Sequence, residues 1–183
     1  MRRWPNGLID LAEQTRRRAM TMTEKRDTPG VIAPPPLLAL AVLLLGLALD
    51  WMFPADLLAL LLTRSERIAI AVILIAAGAA LAIAAMRGFR SAGTHVEPWK
   101  PSLALVTDGI FAWLRNPMYV GATFGLAGFA FALASDWMLV MTVVFVPVIH
   151  FGVVKREEHY LEAKFGDAYR AYKARVPRYG LPI

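Results

Sequence analysis

Four long stretches of this chain contain no Asp, Glu, Lys or Arg, and they limit its possible folds more than any other feature. An α-helix rises about 1.5 Å per residue, so each stretch approaches the roughly 30 Å thickness of a bilayer's hydrocarbon core. We therefore predict an all-α, polytopic membrane protein with four transmembrane helices. The uncharged stretches are residues 28–49, 68–86, 116–135 and 137–154. The helices are expected over about 35–52, 68–86, 117–135 and 137–154.

The composition agrees with a membrane protein of one domain. Hydrophobic residues make up 57% of the 183 positions, whereas about half is usual for a soluble domain. Cysteine is absent, which excludes disulfides, thiolate metal sites and cysteine nucleophiles. No metal-ligand cluster, phosphate-binding loop or dinucleotide-binding glycine motif occurs, so we predict no metal site. More than thirty residues precede the first apolar run, so we interpret that run as a retained helix rather than a signal peptide.

Basic residues are distributed unequally between the two sides that these spans would define. Seven Lys and Arg precede the first span, four follow the second span, and seven lie after the fourth span. Only Arg64 and Arg67 lie on the opposite side. The positive-inside rule then places both termini in the cytosol, and we expect a bacterial inner membrane. The same placement explains the formal charge of +6 without nucleic acid as a partner.

The chain divides into a basic cytosolic tail, residues 1–30, and a membrane domain, residues 31–183. The tail could form an amphipathic helix on the anionic leaflet or could be disordered. Only Ser135 and Asp136 separate the third and fourth spans, so these should form a tight antiparallel hairpin that opens toward the cytosol. Residues 155–175 have helical periodicity with one apolar face, which predicts an interfacial helix.

Small residues mark faces where the helices should pack closely. The second span is rich in alanine and contains Gly78, while Gly121 and Gly125 form a small-xxx-small pair that Gly128 extends. We favour helix packing over cofactor contact as the reason for these glycines. Asp50 and Trp51, at the outer end of the first span, are interpreted as interfacial anchors.

Polar residues collect where the cytosolic ends of the last two spans should meet. Arg115, Asn116 and Tyr119 lie at the start of the third span, and Glu157 and Glu158 follow the fourth. These residues predict a helix start: Asn116 can cap the free backbone amides, and proline is favourable at the first helical position, here 117. A helix start suits an anion and glutamates suit a cation, so the pocket fits a ligand carrying both charges. The alternative is a solvated ring of interfacial charges.

His150 is an ionisable residue inside a predicted span, and such residues are rare and often functional. Seven residues separate His150 from Glu157, which places both on nearly the same helix face. The alternative is a neutral histidine bonded to a backbone carbonyl, which a kink at Pro147 could free.

Two groups of residues then carry a resemblance to a known family. The first is Leu105-Val106-Thr107, Gly109, Ala112-Trp113, Arg115, Pro117 and Tyr119-Val120-Gly121. The second is Glu157-Glu158, Leu161, Phe165-Gly166, Tyr169, Tyr172-Lys173, Arg175-Val176-Pro177 and Gly180-Leu181-Pro182. Together they resemble the isoprenylcysteine carboxyl methyltransferase family, whose core reads LVT, G, then R-H-P-x-Y-x-G. The resemblance covers about residues 94–182 in the family's order and spacing.

This resemblance implies S-adenosylmethionine as methyl donor, S-adenosylhomocysteine as product, and a lipophilic acceptor that enters from the bilayer. The implied cofactor-binding residues are Leu103, Ala104, Leu105, Val106, Phe111, Asn116, Pro117, Met118, Tyr119 and Glu157. The helix-start amides would face the cofactor's carboxylate, and Glu157 a cationic or hydroxyl group. Candidate catalytic residues are His150, Glu158 and Arg115, the first two as a base for an amine acceptor.

Three positions depart from the prenylcysteine enzymes. Asn116 and Leu103 each stand where those enzymes have histidine, and Val153 stands where they have an arginine that contacts the substrate. The Asn-Pro-Met-Tyr sequence is instead similar to phospholipid N-methyltransferases. The alternatives are therefore a phospholipid N-methyltransferase-like enzyme, or a non-catalytic transporter or assembly factor that retains the fold. The sequence leaves the acceptor and the oligomeric state open.

Overall fold

The computed structural model describes Gln14 and residues 27–180, and within them every regular element is helical. These elements include a 3₁₀ turn, Gly109–Ala112, and a π-helical turn, His150–Val154. The all-α prediction is thus confirmed for the described residues, whereas the prediction for the tail lies outside them. The helices are α1 (Pro35–Met52), α2 (Leu57–Leu61), α3 (Arg64–Ser91), α4 (Pro117–Leu133), α5 (Asp136–Ile149) and α6 (Lys155–Arg175).

Three of the helical stretches in the described part are long and apolar enough to cross a membrane, judged by length and composition. These are α1, α3 and the continuous helical run Asp136–Arg175, while α4 is apolar but shorter. Helix α4 has 17 residues, or about 25 Å. It ends where Ala134 takes a left-handed backbone conformation, with φ of 54°. The structure therefore supports a multi-pass membrane protein, while a fourth span and the membrane hairpin stay predictions.

Helix α3 is longer at both ends than the 68–86 expected from its apolar residues. Thr63 and Glu66 form a reciprocal cap at its start, with the Thr63 amide donating to Glu66 Oε2 at 2.8 Å. This cap stabilises a polar first turn that hydropathy alone does not reveal. At the other end the helix continues to Ser91, which brings Phe89 to the level of the start of α4.

Glycines bring α3 and α4 into backbone contact. A Cβ added to Gly78 would lie 2.6 Å from the carbonyl oxygen of Gly121, and one added to Gly121 would lie 2.7 Å from that of Gly78. A Cβ on Gly128 would lie 2.6 Å from Ile75 Cγ1. The packing explanation therefore holds for these positions. A Cβ on Gly125 would have nothing within 4 Å.

The remaining helices are tied together at the end opposite the candidate site. Gly46 of α1 packs against Met138 of α5, where an added Cβ would lie 2.6 Å from the Met138 Cα. The Ser135 hydroxyl donates to Asp50, and the Asp136 carboxylate accepts from the amides of Leu57 and Leu58 at 2.6 and 2.9 Å. Asp50, which we had interpreted as an interfacial anchor, therefore joins α1 to α5.

We expect Gly78→Ala to destabilise the protein by about 1–3 kcal/mol, because the new methyl group meets the backbone of α4. Gly125→Ala is the matched control, since the same methyl group there faces open space and lowers the backbone entropy of the unfolded chain. Thermal unfolding of the detergent-solubilised variants measures the difference. Equal midpoints for the two variants would contradict this account of the α3–α4 contact.

Candidate active site

The first turns of α4 and α6 meet through one side-chain hydrogen bond. The Tyr119 hydroxyl donates to Glu157 Oε2 at 2.8 Å. Tyr119 lies in the first turn of α4 because Pro117 begins that helix, and Glu157 lies in the first turn of α6. Two residues 38 positions apart in the chain are thus brought into direct contact.

Two adjoining cavities open beside this hydrogen bond, with volumes of about 50 and 30 Å³. Both cavities are lined by Phe89, Phe111, Arg115, Asn116 and Glu157. The site therefore combines two aromatic rings with a fixed positive charge and a carboxyl group.

Most of the residues implied by the family resemblance line one of these cavities. They are Ala104, Leu105, Val106, Phe111, Asn116, Pro117, Met118, Tyr119 and Glu157, together with Arg115 and Glu158. Leu103 lines neither cavity. It is 62% exposed, and its amide donates to Thr94 Oγ1 at 2.8 Å.

The structure adds lining residues that sequence reasoning missed. Phe89 lies between two arginines after the predicted end of the second span, so hydropathy gave no signal for it. It packs edge-on against Phe111, with ring centroids 5.0 Å apart. Tyr172 belongs to the apolar face predicted for residues 155–175, and that face was the available signal. The further lining residues are Val96, Ser102, Leu161 and Tyr169.

Glu158 is buried and binds two arginines. Its Oε1 lies 2.9 Å from Arg115 Nη1, and Arg178 donates from Nε and Nη2 to Oε1 and Oε2 at 2.9 and 2.7 Å. Both carboxylate oxygens are therefore occupied by guanidinium groups, and such charge-assisted contacts are among the stronger ones in proteins. These contacts suit a structural ion cluster, and they give no support to the role of Glu158 as a base.

The C-terminal segment, residues 176–180, reaches the start of α4 through its backbone. The Arg115 amide donates to Pro177 O at 3.0 Å, and Asn116 Nδ2 donates to Arg178 O at 3.2 Å. Asn116 is the N-terminal boundary residue of α4, but its side chain makes no capping hydrogen bond. The expected side-chain cap is therefore wrong, because the Asn116 amide is engaged by the C-terminal segment instead.

His150 lies outside the lining of both cavities. Its Nδ1 is 2.8 Å from the Tyr179 hydroxyl, and its ring packs edge-on against Phe151. The π-helical turn that begins at His150 has more residues per turn than an α-helix, so the α-helical spacing that predicted a shared face with Glu157 does not apply here. The expected alternative, a bond to a backbone carbonyl, is replaced by the bond to Tyr179.

Glu157 lies in the charged helix α6, beyond the apolar stretch that ends at Val154. Burial raises the pKa of its carboxyl group to about 7. The hydrogen bond from Tyr119 opposes this rise, and the charge of Glu158 adds to it. A carboxyl group with such a pKa in a cavity is a functional-site candidate, because it changes charge near neutral pH.

We expect Glu158→Gln to lower the free energy of unfolding by about 3–5 kcal/mol, because it leaves two arginines without their shared carboxylate. Glu162→Gln is the control, since Glu162 pairs with Lys173 at 3.0 Å near the surface, where an ion pair contributes little. Thermal unfolding in detergent compares the two variants. A Glu158→Gln midpoint as high as that of Glu162→Gln would contradict the cluster's structural role.

Comparison with known proteins agrees with the resemblance described above. The chain is 40% identical over 85 residues to the protein-S-isoprenylcysteine O-methyltransferase of Schizosaccharomyces pombe, in an alignment covering 43% of this chain and 33% of that protein. It is 37% identical over 62 residues to an uncharacterized protein of Haemophilus influenzae, covering 34% of this chain and 98% of that protein. No solved structure matches.

The chain thus aligns with one third of the length of the first relative. A family model described as phospholipid methyltransferase matches residues 66–168, which is more than half of the chain. The matched region includes α3 from its third residue onward, α4, α5 and the residues that line both cavities up to Leu161. The chain therefore belongs to the phospholipid methyltransferase family.

Proposed function

We propose that this protein is an S-adenosylmethionine-dependent integral membrane methyltransferase. In this proposal it resembles the isoprenylcysteine carboxyl O-methyltransferases and acts on a lipophilic acceptor reached from the bilayer. The observation that carries the proposal is the Tyr119–Glu157 hydrogen bond beside the two cavities, within the region that matches the family. The site and both termini would face the cytosol, as the distribution of basic residues indicates.

The chemistry of the lining residues fits the proposed cofactor. S-adenosylmethionine carries an adenine ring, a carboxylate, an ammonium group and a sulfonium. The rings of Phe89 and Phe111 offer apolar surface to the adenine, and aromatic faces also attract cations. Arg115 offers a positive charge to the carboxylate, while Glu157 offers a carboxyl group to the ammonium or a ribose hydroxyl. Each part of the cofactor thus has a complementary group in the lining.

When bound, the cofactor supplies an electrophilic methyl group on a positively charged sulfur. The residues of this chain would hold the acceptor in line with that group and exclude water, which accounts for much of the rate increase in such transfers. The cavity walls suit this role, because Phe111 is buried and Tyr119 is fixed by its bond to Glu157. A poorly hydrated site also favours the neutralisation of charge between a sulfonium and an anionic acceptor.

Exposed apolar side chains beside the cavity support an acceptor that arrives from lipid. Trp113 is 76% exposed and Leu103 is 62% exposed, and both are next to or near lining residues. Tryptophan is enriched at the membrane–water interface. In our proposal this rim lies at the level of the lipid headgroups, so that a lipophilic acceptor can reach the cavity without passing through water.

A second candidate is a phospholipid N-methyltransferase-like activity. Val153, which occupies the place of the substrate-contacting arginine in the prenylcysteine enzymes, is completely buried in the core and cannot present a charge to an acceptor carboxylate. An amine acceptor must lose a proton before attack, and in this candidate function His150, which contacts the Tyr179 hydroxyl outside the cavity lining, would serve as the base.

The pKa of Glu157 leads to a prediction for cofactor affinity. Below about pH 7 the carboxyl group is neutral, so it attracts a positively charged ammonium group less strongly. We therefore expect S-adenosylmethionine to bind about tenfold more tightly at pH 7.5 than at pH 6, a range in which its ammonium group stays largely protonated. Equilibrium binding to the protein in detergent measures this change.

Glu157→Gln is the control for the pH dependence, because glutamine keeps the hydrogen-bonding shape and does not titrate in this range. At pH 7.5 the affinity of this variant for the cofactor should be lower than that of the wild-type protein. Between pH 6 and pH 7.5 the affinity of the variant should change little. A pH dependence equal to that of the wild-type protein would assign the titration to another group.

The activity itself is tested with native membranes that contain the protein, supplied with the cofactor labelled in its methyl group. We expect a labelled lipid-soluble product, and we expect Tyr119→Phe and Glu157→Gln to reduce its formation at least tenfold. Alkali separates the two candidate functions, because it releases the label from a methyl ester but leaves a methylated amine intact. An absence of any labelled product would instead favour a non-catalytic protein that retains the fold.

A further inference from the structure

Arg115 has an unusual environment for an arginine. Its side chain is only 8% exposed, and it lines both cavities. Its Nη1 binds Glu158 and lies 3.4 Å from the Tyr169 hydroxyl. Its Nε, in contrast, is buried and has no hydrogen-bond partner among the described residues. A buried donor without a partner is costly, so such a group points to a ligand.

The free donor belongs to the edge of the guanidinium that is best suited to a carboxylate. Arg178 uses its own Nε and Nη2 together to bind the two oxygens of Glu158. Arg115 uses Nη1 on the same carboxylate, and its Nε, which belongs to the opposite Nε–Nη2 edge, has no partner among the described residues. Two parallel N–H donors of this kind match a carboxylate in bidentate geometry.

The balance of charge in the cluster also favours an anion. One carboxylate, Glu158, faces two guanidinium groups, so the cluster carries one excess positive charge. The side chains of Arg115 and Glu158 are only 8% and 9% exposed, whereas that of Arg178 is 22% exposed, so the charge of Arg115 is the more enclosed of the two. A buried charge without full compensation is unfavourable. An incoming anion on the cavity side would compensate it.

The backbone at the start of α4 offers few free N–H donors to the same anion. Pro117 has no amide hydrogen, and the amides of Tyr119 and Val120 already donate to the Asn116 carbonyl at 3.2 Å. Few backbone donors therefore point outward from the first turn. This differs from the expectation that the helix-start amides face the cofactor's carboxylate.

We propose that the Nε–Nη2 edge of Arg115 binds the carboxylate of the methionine portion of the cofactor. This inference rests on the proposed function and deepens it, because it assigns a specificity-determining role to Arg115. The Glu158 carboxylate fixes the guanidinium from one side, so the opposite edge is oriented toward the cavity before the ligand arrives. Preorganisation of this kind increases affinity for a ligand with the matching group.

The test compares S-adenosylmethionine with its decarboxylated analogue in equilibrium binding to the purified full-length protein in detergent, at pH 7. The wild-type protein should prefer the cofactor by about ten- to hundredfold, as expected for a charge-assisted pair. Arg115→Lys keeps a positive charge beside Glu158 but loses the second donor of the edge. It should weaken binding of the cofactor, leave binding of the analogue nearly unchanged, and so lower the preference at least fivefold.

Arg178→Lys is the matched control, because Arg178 contacts the same glutamate without lining either cavity. It should keep the wild-type preference. An unchanged preference in Arg115→Lys, or an equal loss in Arg178→Lys, would overturn the assignment while leaving cofactor binding intact. Equal affinity of the wild-type protein for the cofactor and the analogue would by itself overturn the assignment. Binding of neither compound to the wild-type protein would contradict the proposed function itself.

Discussion

The buried carboxylate of Glu158 joins three parts of the chain that are distant in sequence. It binds Arg115 at the end of the loop before α4 and Arg178 in the C-terminal segment, and it lies itself in the first turn of α6. The backbone of the C-terminal segment then reaches Arg115 and Asn116 directly. The positions of Tyr119 and Glu157, and hence the shape of both cavities, depend on this connection.

Close packing between helices holds the cluster in place. The glycines of α3 and α4 bring those helices into backbone contact, and α1 packs against α5 through Gly46. In a bilayer, burial of apolar surface adds little to helix association, so close van der Waals packing becomes the main stabilising interaction. The contact between α3 and α4 also carries Phe89 to Phe111 and closes one wall of the site. The fold and the site are therefore linked through α3.

Much of this architecture could be predicted from the sequence, because apolar length and basic-residue placement are strong local signals. The bounds of α1 and α6 agree with expectation, and the meeting of Tyr119 with Glu157 follows from adjacent helix ends. Other features depend on contacts between distant segments. The Asn116 side chain donates to the C-terminal segment rather than capping its own helix, and a π-helical turn begins at His150 and interrupts the α-helical spacing to Glu157. No local pattern indicates either arrangement.

The same ion cluster also explains how the site can be rigid and still bind a ligand. An ion pair with complete partners on every side would gain little from a ligand, because desolvation offsets much of the attraction between buried charges. Glu158 is fully engaged, whereas Arg115, which lines both cavities, keeps an Nε without a partner among the described residues. The carboxylate that stabilises the fold therefore also orients the donor that our proposal assigns to the ligand. On this view, loss of Glu158 would affect stability and recognition together, whereas loss of the Arg115 edge would affect recognition alone.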